Sequence, residues 1–120
     1  MNVHDTAEVV RAYHDAWTHK DFATARALLA STLVVEVPIN SYPTAESFAA
    51  ALEGFASMVT NIELLAAMSE ANEAMLLYDL KADPVGTLRV AEHFTVADGK
   101  IIRIRQVHDT AAVRAAGLGR

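Results

Sequence analysis

The hydrophobic pattern of the chain changes its period near Thr60. Before this residue, apolar side chains recur at the three- and four-residue spacing of helices, whereas after it they alternate with polar ones, as in strands. Turn sequences divide this second part into "NIELLAAMS", "AMLLYDLKA", "TLRVAEHFTV" and "KIIRIRQVH". The Asp98-Gly99 pair before the last segment is a strong hairpin signal. The pattern therefore predicts a meander of four strands.

The part before Thr60 predicts three helices and one strand. Asp5 and Glu8 have the spacing of a capping box for a first helix over about Thr6–His19, and Asp21 can cap a short second helix. The segment "TLVVEVP" is β-branched and ends at a proline, which predicts a strand, and Thr44 can cap a third helix, "AESFAAALEGFASM". Helices followed by long strands indicate an α+β fold, with three N-terminal helices on a strongly curved, antiparallel or mixed sheet. The tail "AAVRAAGLGR" is expected to be a short helix or to fray.

Length and charge restrict the function. A chain of 120 residues predicts a single domain, 1–120, and the net charge of -5 argues against partners such as nucleic acid or an anionic membrane. The sequence lacks cysteine and an apolar run long enough to span a membrane, so we expect a cytoplasmic protein. Metal-ligand spacings and nucleotide-binding motifs are absent from the sequence, so neither a metal nor a cofactor is predicted.

Strand alternation turns one acid toward the core. In "LRVAEHFTV", counting in twos gives an inward row of Leu88, Val90, Glu92, Phe94 and Val96, with Arg89, His93 and Thr95 outward. The same counting turns Tyr78 inward. On the last strand it turns Ile102 and Ile104 inward together with Gln106 and His108, and Ile101 outward. A slip of one residue would reverse each assignment.

Several segments resemble a known family. The order of elements is similar to that of nuclear transport factor 2-like (NTF2-like) proteins, which include ketosteroid isomerases and SnoaL-like polyketide cyclases. Within it, "VVRAY", "NEAMLLYDL" and "EHF" before "DGKIIRI" resemble ketosteroid isomerase. The resemblance implies a cone-shaped, cystatin-like fold whose helices cover a concave sheet and leave a pocket at its open end.

The resemblance also implies site residues. Tyr13 and Glu92 match the tyrosine and the acid that donate hydrogen bonds to a developing enolate in ketosteroid isomerase, whereas the general-base position before the proline is Val37. We therefore expect His108 to move the proton, because an imidazole titrates near neutral pH. The pocket is expected to be lined by Trp17, Val37, Tyr78, Phe94 and Gln106. The predicted function is a cofactor-independent enzyme of the ketosteroid isomerase or SnoaL type, transferring protons on an apolar carbonyl- or epoxide-bearing ligand.

Other interpretations stay open at this point. Glu92 can be a structural acid satisfied by Tyr13, His108 or a backbone group. The protein can be a non-catalytic ligand-binding module, or a dimerisation domain whose pocket is filled by Trp17, Tyr78 and Phe94. The outward face mixes charged and aliphatic residues, and such a face usually finds a partner, so a homodimer through the outer sheet face is expected. Its charged members are Arg89, His93, Arg103 and Arg105.

Overall fold

A single five-stranded sheet organises the protein, and its concave face carries the helices. The computed structural model describes residues 5–117, so His4 and the last residues of the C-terminal tail lie outside the described residues. The helices are α1 (Thr6–Thr18), α2 (Phe22–Ala27), α3 (Ala45–Ala56) and α4 (Ala111–Ala115), and the strands are β1 (Leu29–Glu36), β2 (Val59–Glu70), β3 (Glu73–Ala82), β4 (Gly86–Ala97) and β5 (Lys100–Val107). The elements confirm the predicted α+β fold and the four-strand meander.

The sheet is mixed. Its strand order is β1-β5-β4-β3-β2, so the meander β2 to β5 is antiparallel and β1 joins the free edge of β5 in parallel. The hairpin between β4 and β5 is formed by Asp98 and Gly99, both with positive φ, as the Asp-Gly signal predicts. Since β2 and β1 are the two edge strands, the three central strands carry most of the buried surface.

Two of the three helix N-caps predicted from the sequence are present in the structure. The Thr44 side chain accepts a hydrogen bond from the backbone N–H of Ser47, and the Ser47 hydroxyl reaches back to Thr44. The side chain of Asp21 accepts a bond from the backbone N–H of Thr24. The capping box predicted from Asp5 and Glu8 is wrong, because the Asp5 side chain makes no capping hydrogen bond. Thr6 instead ties the start of α1 to the β2–β3 turn by donating to the Ala71 carbonyl at 2.9 Å.

The register of β5 differs from the prediction at its start. Ile101 is fully buried and pairs with Val96, whereas the next pair joins Arg103 to Thr95, so Ile102 is the extra residue of a bulge. The expected inward turn of Ile102 and outward turn of Ile101 are therefore wrong. A bulge places two residues opposite one and resets the alternation, so Ile104 and Gln106 keep their predicted inward face.

Helix α1 packs on the concave face of the sheet near Phe94 of β4. Its Tyr13 ring packs edge-on against Phe94 of β4, with ring centroids 5.8 Å apart, and both side chains are fully buried. Such aromatic pairs stabilise a core beyond the area they bury. Of residues 5–117, no helix is both long and apolar enough to cross a membrane.

Candidate functional site

A cavity of about 350 Å³ lies between the concave face of the sheet and the helices. From β4 it is lined by Leu88, Val90 and Glu92 but not by the next inward residues, Phe94 and Val96. Alternate residues of a strand are about 6.6 Å apart. The cavity therefore runs along β4 from Leu88 to Glu92, and the acid lies at its inner end.

Most of the wall is apolar. Helix α3 contributes the stripe that the sequence shows at helical spacing, and α4 adds Val113. Lysine and arginine are absent from the lining formed by residues 5–117. The apolar contributors from α1, α3 and the segments after β1 and after α3 include Trp17, Val37, Phe48, Leu52, Phe55 and Met58.

Two neutral side chains hold the carboxyl group of Glu92. The Tyr78 hydroxyl donates to Oε1 at 3.0 Å, and the Gln106 amide donates from Nε2 to Oε2 at 2.7 Å. Strand pairing sets this arrangement, because Glu92 pairs directly with Gln106 on β5 and Tyr78 pairs with the neighbouring Val90. The three groups form a connected polar cluster in the cavity wall, which we call the acid cluster.

Burial changes the ionisation of the acid. Glu92 is 1% exposed, and loss of hydration raises its pKa from 4.5 to about 7, although the hydrogen bonds from Gln106 and Tyr78 act in the opposite direction. At neutral pH the side chain is therefore present both as a carboxylic acid and as a carboxylate. In the first form it can donate a hydrogen bond or a proton, and in the second it can accept one.

Tyr13 and Phe94 do not line the cavity. Both lie beneath its inner end, because Phe94 is two residues further along β4 than Glu92 and α1 covers it there. The Tyr13 hydroxyl has no hydrogen-bond partner within the part of the chain that is described. Burial raises the Tyr13 pKa well above 10.0, and the charge of Glu92 adds to this effect. The phenol that contacts the acid is thus Tyr78, and the expected ligand contacts of Tyr13 and Phe94 are not part of this wall.

His108 lines the cavity but stands apart from the acid cluster. Its half-buried ring places Nδ1 3.0 Å from the backbone oxygen of Asp109. It follows Gln106 by two residues, just beyond the end of β5, so its Cα lies at most about 7 Å from that of Gln106. Among residues 5–117 no hydrogen bond joins His108 to Glu92. The two side chains line the same cavity at different positions.

Part of the cavity wall was not predicted from the sequence. Asn40 and Tyr42, in the loop after β1, line the cavity, and the Asn40 amide donates to the Tyr42 hydroxyl at 3.4 Å. The sequence favours turn residues over ligand contacts for this pair, although loops at a pocket mouth often carry specificity, and no helical or strand period fixes the two side chains on the pocket. The α3 stripe was visible in the sequence, but helical spacing alone does not separate cavity wall from filled core.

Comparisons with known proteins agree with this geometry. A family model described as a SnoaL-like domain matches residues 10–104. The chain belongs to the SnoaL-like domain family. A search of curated proteins found no match. Within the NTF2-like superfamily, the SnoaL-like assignment confirms the resemblance seen in the sequence.

Solved structures share the fold across nearly the whole chain. A protein from Kribbella flavida is 34% identical with a TM-score of 0.87, and the match covers 93% of each chain. A LEH-like epoxide hydrolase from M. tuberculosis is 21% identical with a TM-score of 0.74, covering 92% of this chain and 86% of that one. A steroid delta-isomerase from Pseudomonas aeruginosa is 15% identical with a TM-score of 0.79, covering 98% and 88%. At these identities the two enzymes show the fold alone.

Proposed function

We propose that this SnoaL-like protein is a cofactor-independent enzyme that moves protons on an apolar small molecule bearing a carbonyl or epoxide oxygen. The supporting observation is the acid cluster itself: a carboxyl group with a pKa of about 7, held by two neutral donors at the inner end of a mostly apolar cavity. An acid in a cleft whose ionisation is strongly perturbed by burial is a candidate acid–base group.

Glu92 acts first as a donor. In its neutral form it donates a hydrogen bond to the substrate oxygen, while Tyr78 and Gln106 keep the carboxyl group oriented. The hydrogen bond from Glu92 stabilises the electron density that builds on this oxygen, and it is stronger because the surrounding wall excludes water. The apolar remainder of the substrate then occupies the space lined by α3 and the inward residues of β4.

His108 moves the proton. Because His108 and Glu92 line the same cavity without a hydrogen bond between them, a carbonyl group and the adjacent carbon can lie between the two side chains. The neutral imidazole takes a proton from that carbon, the C–H electron pair forms the enolate, and the same proton returns to another carbon to complete an isomerisation. With an epoxide, the imidazole instead takes the proton of an attacking water while Glu92 protonates the opened oxygen.

A substrate panel with matched variants tests the proposal. Neutral cyclic ketones and epoxides are incubated with the unaltered protein, with Glu92→Gln and with Glu63→Gln, which changes an exposed glutamate of β2. We expect turnover to fall by about 10² or more in Glu92→Gln, the usual contribution of an acid–base group, and to stay unchanged in the control. Equal turnover of Glu92→Gln and the unaltered protein would remove Glu92 from the mechanism.

A second function, a non-catalytic ligand-binding module, is favoured by one observation. Val37 lines the cavity where the resemblance to ketosteroid isomerase implies a general base, so the wall has no carboxylate at that level. Quenching of Trp17, the single tryptophan of the chain and a cavity residue, measures binding independently of turnover. Tight binding without conversion of any panel compound, together with Glu92 titrating near pH 4, would favour this function over catalysis.

We also propose that two copies associate through the outer face of the sheet. Met68 and Val107 are 71% and 70% exposed on this face. The β2–β3 side carries Glu70 and Glu73, whereas β5 carries arginines, so a two-fold axis parallel to the strands would bring acidic and basic halves together. Complementary charge together with exposed apolar side chains supports a second copy as the partner.

A further inference from the structure

The Tyr78 ring of the acid cluster packs against two rings of α1, those of His14 and Trp17, and the three rings contact one another. The His14 ring centroid lies 5.0 Å from that of Tyr78 and 5.8 Å from that of Trp17, and the Trp17 and Tyr78 centroids are 6.2 Å apart. His14 and Trp17 are three residues apart on α1, so they present their rings on one side of the helix. The ring of Tyr78 is therefore held from two directions by the same helix.

His14 is an unusual residue for this position. It is 3% exposed, and its Nδ1 has no hydrogen-bond partner within residues 5–117. An unsatisfied buried nitrogen is unfavourable, and a phenylalanine or leucine would avoid this cost. Burial lowers the pKa of His14 from 6.5 to about 4, so the ring is neutral in the pH range where Glu92 titrates.

The same two residues of α1 separate two cavities. A second cleft of about 410 Å³ lies between α1, the end of α3 and the first half of β2, and both His14 and Trp17 line it. Trp17 also lines the cavity that contains Glu92. Any movement of this ring pair toward the second cleft would leave the Tyr78 ring unsupported on its α1 side.

We propose that His14 is a positioning residue of the acid–base site: together with Trp17 it fixes the Tyr78 ring, so that the Tyr78 hydroxyl stays on Glu92. This inference rests on the proposed function, since it concerns the geometry of the same acid. The hydroxyl bond favours the charged form of Glu92, and the site therefore owes part of its ionisation to a residue that does not touch the cavity.

The titration midpoint of Glu92 reports whether the Tyr78 hydroxyl stays on its carboxyl group. Carbon-13 NMR of glutamate carboxyl groups gives its titration midpoint, with Glu92→Gln to assign the signal. Tyr78→Phe removes the hydroxyl bond and should raise the proton affinity of Glu92 about tenfold, which is one pKa unit. His14→Ala should raise it about threefold, whereas His14→Phe, which keeps a ring, should return it to the original midpoint. His19→Ala, an exposed imidazole of the same helix end, is the control.

Each result decides the inference. An unchanged or lowered midpoint in His14→Ala overturns it, as does a failure of His14→Phe to restore the midpoint or an unchanged midpoint in Tyr78→Phe. If His14→Ala does not fold, His14→Leu fills the space without a flat ring and should shift the midpoint in the same direction. The proposed function fails differently, since Glu92 would then titrate near its ordinary value, or turnover would survive Glu92→Gln, in the protein with His14 intact.

Discussion

Replacing Glu92 with glutamine should change how the stability of the protein depends on pH. Burial raises the pKa of Glu92 from 4.5 to about 7 in the folded chain. Between these values the folded protein holds a proton that the unfolded chain releases, so unfolding is increasingly favoured as the pH rises. Stability contributed by the neutral acid is present below about pH 4.5 and is lost by the time the pH has passed about 7.

The size of this loss follows from the shift. A difference of about 2.5 pKa units corresponds to about 3 kcal/mol at about 1.4 kcal/mol per unit. The side chain is 1% exposed, so solvent screening does not reduce the figure appreciably. Glutamine has no proton to release, and it can keep the hydrogen bond from Tyr78. The free energy of unfolding of Glu92→Gln, relative to the unaltered protein, should therefore rise by about 3 kcal/mol between pH 4 and pH 8.

Urea unfolding measures this difference at several pH values. Fluorescence of Trp17, the only tryptophan, reports the transition, and groups other than Glu92 titrate equally in both proteins and cancel. The control Glu63→Gln should give a curve parallel to that of the unaltered protein. If the curves of Glu92→Gln and the unaltered protein also run parallel from pH 4 to pH 8, Glu92 titrates normally and the reasoning about its burial is refuted.

Three further outcomes are expected. Tyr13→Phe removes a buried hydroxyl that has no partner among the described residues, so it should leave turnover unchanged and raise stability by up to about 1 kcal/mol in urea unfolding; lost turnover would restore Tyr13 to the mechanism. Thr44→Ala removes the cap of α3 and should cost about 1 kcal/mol, against no change for Glu53→Ala, which alters an exposed residue of the same helix. Met68→Glu combined with Val107→Glu should convert a dimer to a monomer in sedimentation equilibrium, and an unaltered protein that sediments as a monomer would contradict the association.

The regular strands were the predictable part of the fold and of the site. On β4 the alternation is undisturbed from Leu88 to Thr95, and the sequence placed Glu92 on the inward face, as found. On β5 the neighbouring residues Ile101 and Ile102 are both apolar, so alternation alone does not decide which of them faces inward. The bulge at Ile102 decides it. A bulge depends on pairing with the neighbouring strand, and a single strand's pattern does not contain it.

Depth along the cavity could not be predicted in the same way. Tyr13 and Trp17 lie four residues apart on one side of α1, yet only Trp17 reaches the cavity, because the sheet closes beneath Tyr13. Periodicity gives the direction of a side chain but not its distance from the open end of a cone. For the same reason the sequence predicted the wrong tyrosine beside the acid. Tyr13 was expected there and Tyr78 only as cavity wall, but it is Tyr78 that donates to Glu92.

The cost of an ionisable group at position 92 separates the two proposed functions. A glutamine there could accept from Tyr78 and, with the amide of Gln106 reversed, donate to its oxygen, so the wall would be equally polar and as well connected. Glutamate makes the same contacts but destabilises the folded protein by about 3 kcal/mol above neutral pH. A module that only binds apolar ligands gains nothing from that loss. An enzyme in which this group releases a proton to the substrate oxygen requires it, because an amide cannot release one, and for this reason the acid cluster supports catalysis over binding alone.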